Sequence, residues 1–124
     1  SAALTPAQAG AANEAFKGIL DEPWRVEKLC DNASRFIRGL QQVGFETMLT
    51  ETAIVPVLCG SDENAFAMTR EAQNEDVFVL PVISPAVPQG LARLRATVTA
   101  AHESDDIDHA VKVLERAGKK IGLL

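Results

Sequence analysis

The chain has 124 residues and a formal net charge of −5, with 47% apolar and 23% charged residues. That length suits one domain able to bury a core, and the ordinary apolar-to-charged balance excludes a disordered chain. The mild acidity, with no basic run interleaved with aromatics, argues against nucleic-acid binding.

Proline suits a first helical position, so Thr5-Pro6 opens an alanine-rich helix from about Pro6 to Leu20 that ends near Asp21. Glu22-Pro23 opens a second in the same way. There Trp24, Leu29, Phe36, Ile37 and Leu40 share one apolar face, and Gly44 is placed to stop the helix. The run "AIVPVLCG" reads as a central strand, although Pro56 removes a ladder donor and puts that position at an edge or an irregularity. Ser61 caps a third helix with Asp62 and Glu63 in its first turn, and Ala65, Phe66, Met68, Thr69 and Ala72 follow.

"DVFVLPVI" is a second strand, interrupted at Pro81, and "SPAVPQG" is a loop. "LARLRATVTA" alternates, with Leu94, Ala96, Val98 and Ala100 on one face and Arg93, Arg95, Thr97 and Thr99 on the other. Ser104 caps the last helix, Asp105, Asp106 and Asp108 fill its first turn, and Ile107, Ala110, Val111, Leu114 and Ala117 form its stripe up to Gly118. This order predicts an α+β fold: a small, mainly antiparallel sheet with helices packed on one face, and a first helix outside that layer. With one Trp, five Phe and no Tyr, its core is aliphatic.

Candidate chemistry is sparse. Arg93 and Arg95 read either as the solvated face of a half-buried sheet or as anion recognition, since a guanidinium fork matches a carboxylate and a strand holds it firmly. "HESDDIDH" reads either as a helix cap with a solvated face or as a metal site through His102, Asp105, Asp106 and His109. His102 suits packing, a local hydrogen bond or a cleft. Cys30 and Cys59 lack CxxC spacing and read as reduced packing residues. There is no nucleophile elbow, glycine-rich phosphate loop or zinc spacing. Read from its residues, the chain is a module that supplies one arginine to a site built mostly elsewhere. With no apolar run of roughly 20 residues and no signal-peptide pattern, a soluble cytoplasmic protein is expected.

The segment "PAVPQGLARLRATVTAAHESDDIDHAVKVLERAGKKIGLL" resembles the C-terminal end of the α-oxoamine synthases, fold-type I pyridoxal-phosphate (PLP) enzymes that condense an amino acid with an acyl-CoA and lose CO₂. "AIVPVLCG" resembles the family's strand before the small-domain helix, and "SAALTP" its F-S-x-x-L-x-P loop without the Phe. The resemblance implies that residues 1–45 are the end of a large domain with connecting helices, and that residues 46–124 are the C-terminal small domain. It implies that Arg95 binds the amino-acid carboxylate, that Arg93 is structural, and that Ser1 and Ala2 approach the cofactor phosphate across a homodimer interface. The Schiff-base lysine, the Asp that pairs with the pyridine nitrogen and the His that stacks on the ring belong to a large domain upstream. Lys17, Lys28, Lys112, Lys119 and Lys120 match no cofactor lysine. The expected chain is therefore a C-terminal fragment, inert alone, of a PLP-dependent acyltransferase. The rivals are a class I/II aminotransferase small domain and a free-standing module that binds small anions.

Overall fold

The computed structural model describes residues 3–124, so Ser1 and Ala2, expected near a cofactor phosphate, lie outside the described residues. The elements run α1 (Pro6–Asp21), α2 (Trp24–Gln42), β1 (Ile54–Gly60), α3 (Asp62–Gln73), β2 (Leu80–Val82), β3 (Ala92–Thr97) and α4 (Ser104–Ile121). This is the expected α+β order.

Capping sets the helix starts, with two corrections. Thr5 and Gln8 form a reciprocal capping box on α1, and the Ser61 hydroxyl accepts the Asn64 N–H of α3. Pro23 is the N-cap of α2 rather than its first residue. Glu103, not Ser104, caps α4: its N–H donates to Asp106 Oδ2 at 2.8 Å, so the acid run itself closes the box. Gly44, at φ +105°, ends α2 as expected, and the Phe45 N–H returns to the Leu40 carbonyl. Gly118 lies near the end of α4, buried inside the last turn where Phe45 and Leu124 lie against it, and Gly122 at φ +77° stops the helix.

The sheet order is β1-β3-β2, antiparallel throughout, so the arginine strand β3 is central and β1 is an edge. "AIVPVLCG" therefore does not form a central strand. Its apolar run misleads because both faces are apolar: Val55, Val57 and Cys59 are buried, while Ile54, Pro56 and Leu58 line the opposite face. Pro56 sits at an edge, where a missing donor disturbs no ladder. The Ile54 N–H donates to the Thr52 hydroxyl and the Leu58 N–H to the Glu46 carbonyl, so alternate amides of β1 point away from β3. Pro81 lies within the three-residue β2, paired with Leu94.

Helices α2, α3 and α4 gather on one sheet face around Leu40, Met68, Leu94, Leu114 and Val57, all fully buried. The core is aliphatic apart from Phe36 and Phe45. Phe66 turns to solvent, and Trp24 stays half-exposed beneath the Arg25 guanidinium, because the first turns of α2 project past the sheet. Asn32 fastens α2 to the turn after β3, donating to the Thr99 and His102 carbonyls at 3.0 and 2.8 Å. Helix α1 contains no buried residue.

Candidate functional site

With three helices on one face, the other sheet face is left open, and β3 places Arg93, Arg95 and Thr97 on it. The antiparallel register sets Pro56 and Leu80 on either side of Arg95, and Leu58 and Val82 on either side of Arg93. The loop between α2 and β1 closes one wall. The result is a groove of about 460 Å³ lined by both arginines, Met48, Leu49, Ile54 and Val87 among others.

The two arginines, equivalent by pattern, have different surroundings. The Arg93 Nε–H donates to the Leu91 carbonyl and its Nη1 to Met48 Sδ, each at 3.0 Å. Its fork is therefore turned back onto the protein. Arg25, Arg35 and Arg116 are held in surface ion pairs by Glu22, Asp108 and Glu75, whereas Arg38, Arg70, Arg93 and Arg95 have no ion-pair partner among the described residues, and of these four only Arg93 and Arg95 line the groove. Arg95 is a fixed cation on a central strand between apolar neighbours, an arrangement that suits bidentate capture of a carboxylate.

Other candidates separate from this groove. His102 Nδ1 accepts the Thr99 N–H at 3.1 Å, and the ring also lines a second cavity of about 430 Å³ beside the start of α4. His109 Nε2 lies 3.2 Å from the Glu75 carbonyl, so the two histidines bond to different loops, although His109 and Asp106 line the same cavity as His102. Among the described residues no group of three His, Cys, Asp or Glu side chains is disposed to hold a metal. Asp106 works in the cap, and Asp105 is exposed in the same first turn. Cys59 is a packing residue whose thiol is pushed up to about 11 by burial, whereas Cys30 is exposed.

Lys17, Lys28, Lys119 and Lys120 pair with Glu14, Glu103, Glu115 and Glu71, Lys112 is exposed on α4, and no lysine lines the groove. Sequence reasoning missed Met48 and Asn32. The loop around Met48 has no periodicity to reveal a contact 45 residues away, and a buried helical Asn looks like any exposed one. No helix among the described residues is long and apolar enough to cross a membrane.

Comparison with known proteins agrees with this geometry. The profile of the aminotransferase class I and II family matches residues 1–114. An 8-amino-7-oxononanoate synthase from Thermoanaerobacter pseudethanolicus is 38% identical over 124 residues, which is 100% of this chain and 31% of that protein. The 8-amino-7-oxononanoate synthase/2-amino-3-ketobutyrate coenzyme A ligase of Thermus thermophilus is 40% identical over 119 residues, 96% of this chain and 30% of its own length. A serine palmitoyltransferase from S. paucimobilis, solved with a bound PLP-myriocin aldimine, superposes with a TM-score of 0.90 at 26% identity, covering 100% of this chain and 32% of that one. The chain thus spans about a third of the length of the curated relatives it matches. With the profile, the relatives and the superposition in agreement, the chain belongs to the class I and II aminotransferase family and, within it, to the α-oxoamine synthases.

Proposed function

We propose that this chain is the C-terminal domain of a PLP-dependent, homodimeric cytoplasmic enzyme that condenses an amino acid with an acyl-CoA and releases CO₂, and that Arg95 holds the amino acid's carboxylate. The observation that carries the carboxylate role is the state of Arg95: a guanidinium on the central strand, flanked by Pro56 and Leu80, with no ion-pair partner among the described residues. The guanidinium is exposed on the open sheet face, so both prongs of its fork are accessible for a charge-assisted pair. The division at residue 45 belongs to the same proposal. Helix α2 lies wholly before that division, exposed at its start, yet it contributes Phe36 and Leu40 to the core of the domain that follows.

The described residues fit half of such a site. They offer a carboxylate fork but no amine beside it, so the lysine that would hold PLP comes from elsewhere in the enzyme and this chain alone is inert. When bound, that cofactor supplies the electron sink for chemistry at the amino acid's α-carbon. The role of Arg95 is orientation. A ligand gripped at its carboxylate has its α-carbon placed by the strand, and a misplacement of about 1 Å can cost on the order of 100-fold in rate. Exposed apolar side chains on α1 and at the start of α2, including Phe16, Leu20, Trp24 and Val26, weigh against a free-standing anion-binding module.

The test is Arg95→Ala in the full-length enzyme. Losing hydrogen bonds between charged groups, at about 1.5–3 kcal/mol, should weaken amino-acid binding by roughly 10- to 100-fold, with the acyl-CoA KM within about twofold of the parent. Equal losses for both substrates would remove Arg95 from the carboxylate role.

A further inference from the structure

Arg93 faces the same groove as Arg95 but spends its donors on the protein, and the recipient of one is a residue under backbone constraint. Met48 adopts φ +56°, in the left-handed region that non-glycine residues seldom enter, and its N–H donates to Glu46 Oε1 at 2.7 Å. The loop carrying it is pinned at both ends. The Glu46 carbonyl accepts the Leu58 N–H at 2.9 Å, and the hydroxyls of Thr50 and Thr52 both donate to the Ile54 carbonyl, at 3.0 and 3.3 Å. A methionine ordinarily swings about three torsions. Here its sulfur lies 3.0 Å from Arg93 Nη1, and its side chain lines the groove that contains Arg95.

We infer that Arg93 is a positioning residue: it holds Met48 as the apolar wall beside Arg95, and that wall limits the size of the side chain an amino acid may carry while its carboxylate sits on Arg95. This inference rests on the carboxylate role proposed for Arg95, and it adds the residue pair that sets selectivity. Arg93 acts only through Met48, so the two residues form one unit whose effects do not add.

The test uses the full-length holoenzyme and the series alanine, 2-aminobutyrate and norvaline, read both as kcat/KM and as equilibrium affinity by calorimetry. Met48→Ala should raise the norvaline-to-alanine ratio about 10-fold, a size expected for a methylene or two of apolar space. Arg93→Ala should move the ratio the same way and have no further effect in a Met48→Ala background, with the acyl-CoA KM unchanged. Met48→Leu, which keeps the bulk without the sulfur acceptor, provides a second background in which Arg93→Ala should be silent. An Arg93→Ala effect equal for all three amino acids, or undiminished in either Met48 background, would overturn the inference. Arg95→Ala separates the two ideas. It tests affinity for every amino acid regardless of size, whereas the Arg93 and Met48 variants test only the ratio.

Discussion

At the scale of single residues, identical side chains acquire different properties from their surroundings. Arg93 and Arg95 share a strand face, yet one is consumed by Leu91 and Met48 while the other has no ion-pair partner among the described residues. The cysteines divide likewise. Cys59 is 1% exposed and its thiol is pushed up to about 11 by burial, while Cys30 lies on the surface of α2. In the folded chain at pH 8, a disulfide reagent should modify Cys30 quickly and Cys59 only on unfolding; matched rates would show that the β1 face is open. Because burial raises the Cys59 pKa above its ordinary 9.0, the folded state keeps a proton that the unfolded chain gives up. The associated stability is full below pH 9 and is lost as pH rises toward about 11. Cys59→Val should flatten that alkaline decline in urea unfolding.

At the scale of elements, α4 is fastened on two flanks. Arg35 of α2 reaches Asp108 through two hydrogen bonds of 2.8 and 2.6 Å, while Glu75, just past α3, pairs with Arg116. Those guanidinium groups hold the Asp108 and Glu75 carboxyls below their ordinary pKa values, mainly through hydrogen bonding. Between these clamps, α2 and α4 approach closely at Gly39, where an added Cβ would lie 2.9 Å from Val111 Cγ2. Gly39→Ala should therefore destabilise by about 1–3 kcal/mol despite alanine's better helix propensity, and adding Val111→Ala should recover part of the loss in urea midpoints. Additive effects would mean that the helices do not touch there. Most of these elements were legible in the sequence, because Pro6, Ser61 and Gly44 act locally at helix ends and β3 alternates cleanly. The strand order and the Glu103 cap were not. Each depends on which neighbour packs against the segment, and a central and an edge strand look alike when both faces of the edge are apolar.

At the scale of the whole molecule, bare apolar surface is concentrated in two places: on α1 and the start of α2, where Phe16 is 68% exposed and Leu20 81%, and around the open sheet face, where Leu49, Ile54 and Leu80 are exposed. A chain of this kind needs cover, which the full-length enzyme is proposed to give. The isolated chain should self-associate in sedimentation experiments, Phe16→Glu with Leu20→Glu should return it to a monomer, and neither form should acquire a borohydride-reducible visible band with PLP. Such a band would place a cofactor lysine within these residues and end the inert-fragment reading. The carboxylate role proposed for Arg95 came only from the family resemblance, since alternation alone made Arg93 and Arg95 equivalent and left the Met48 contact invisible. The outer margin of β1 has a consequence for such a sticky piece of protein. Along it the Ile54 and Leu58 amides are already bonded to Thr52 and Glu46, Pro56 has no amide hydrogen, and two threonine hydroxyls occupy the Ile54 carbonyl. The opposite margin is only three residues long and includes Pro81. Neither rim offers an incoming strand a free ladder, so the association expected of the isolated chain should stay helix-mediated and reversible, without maturing into cross-β fibrils.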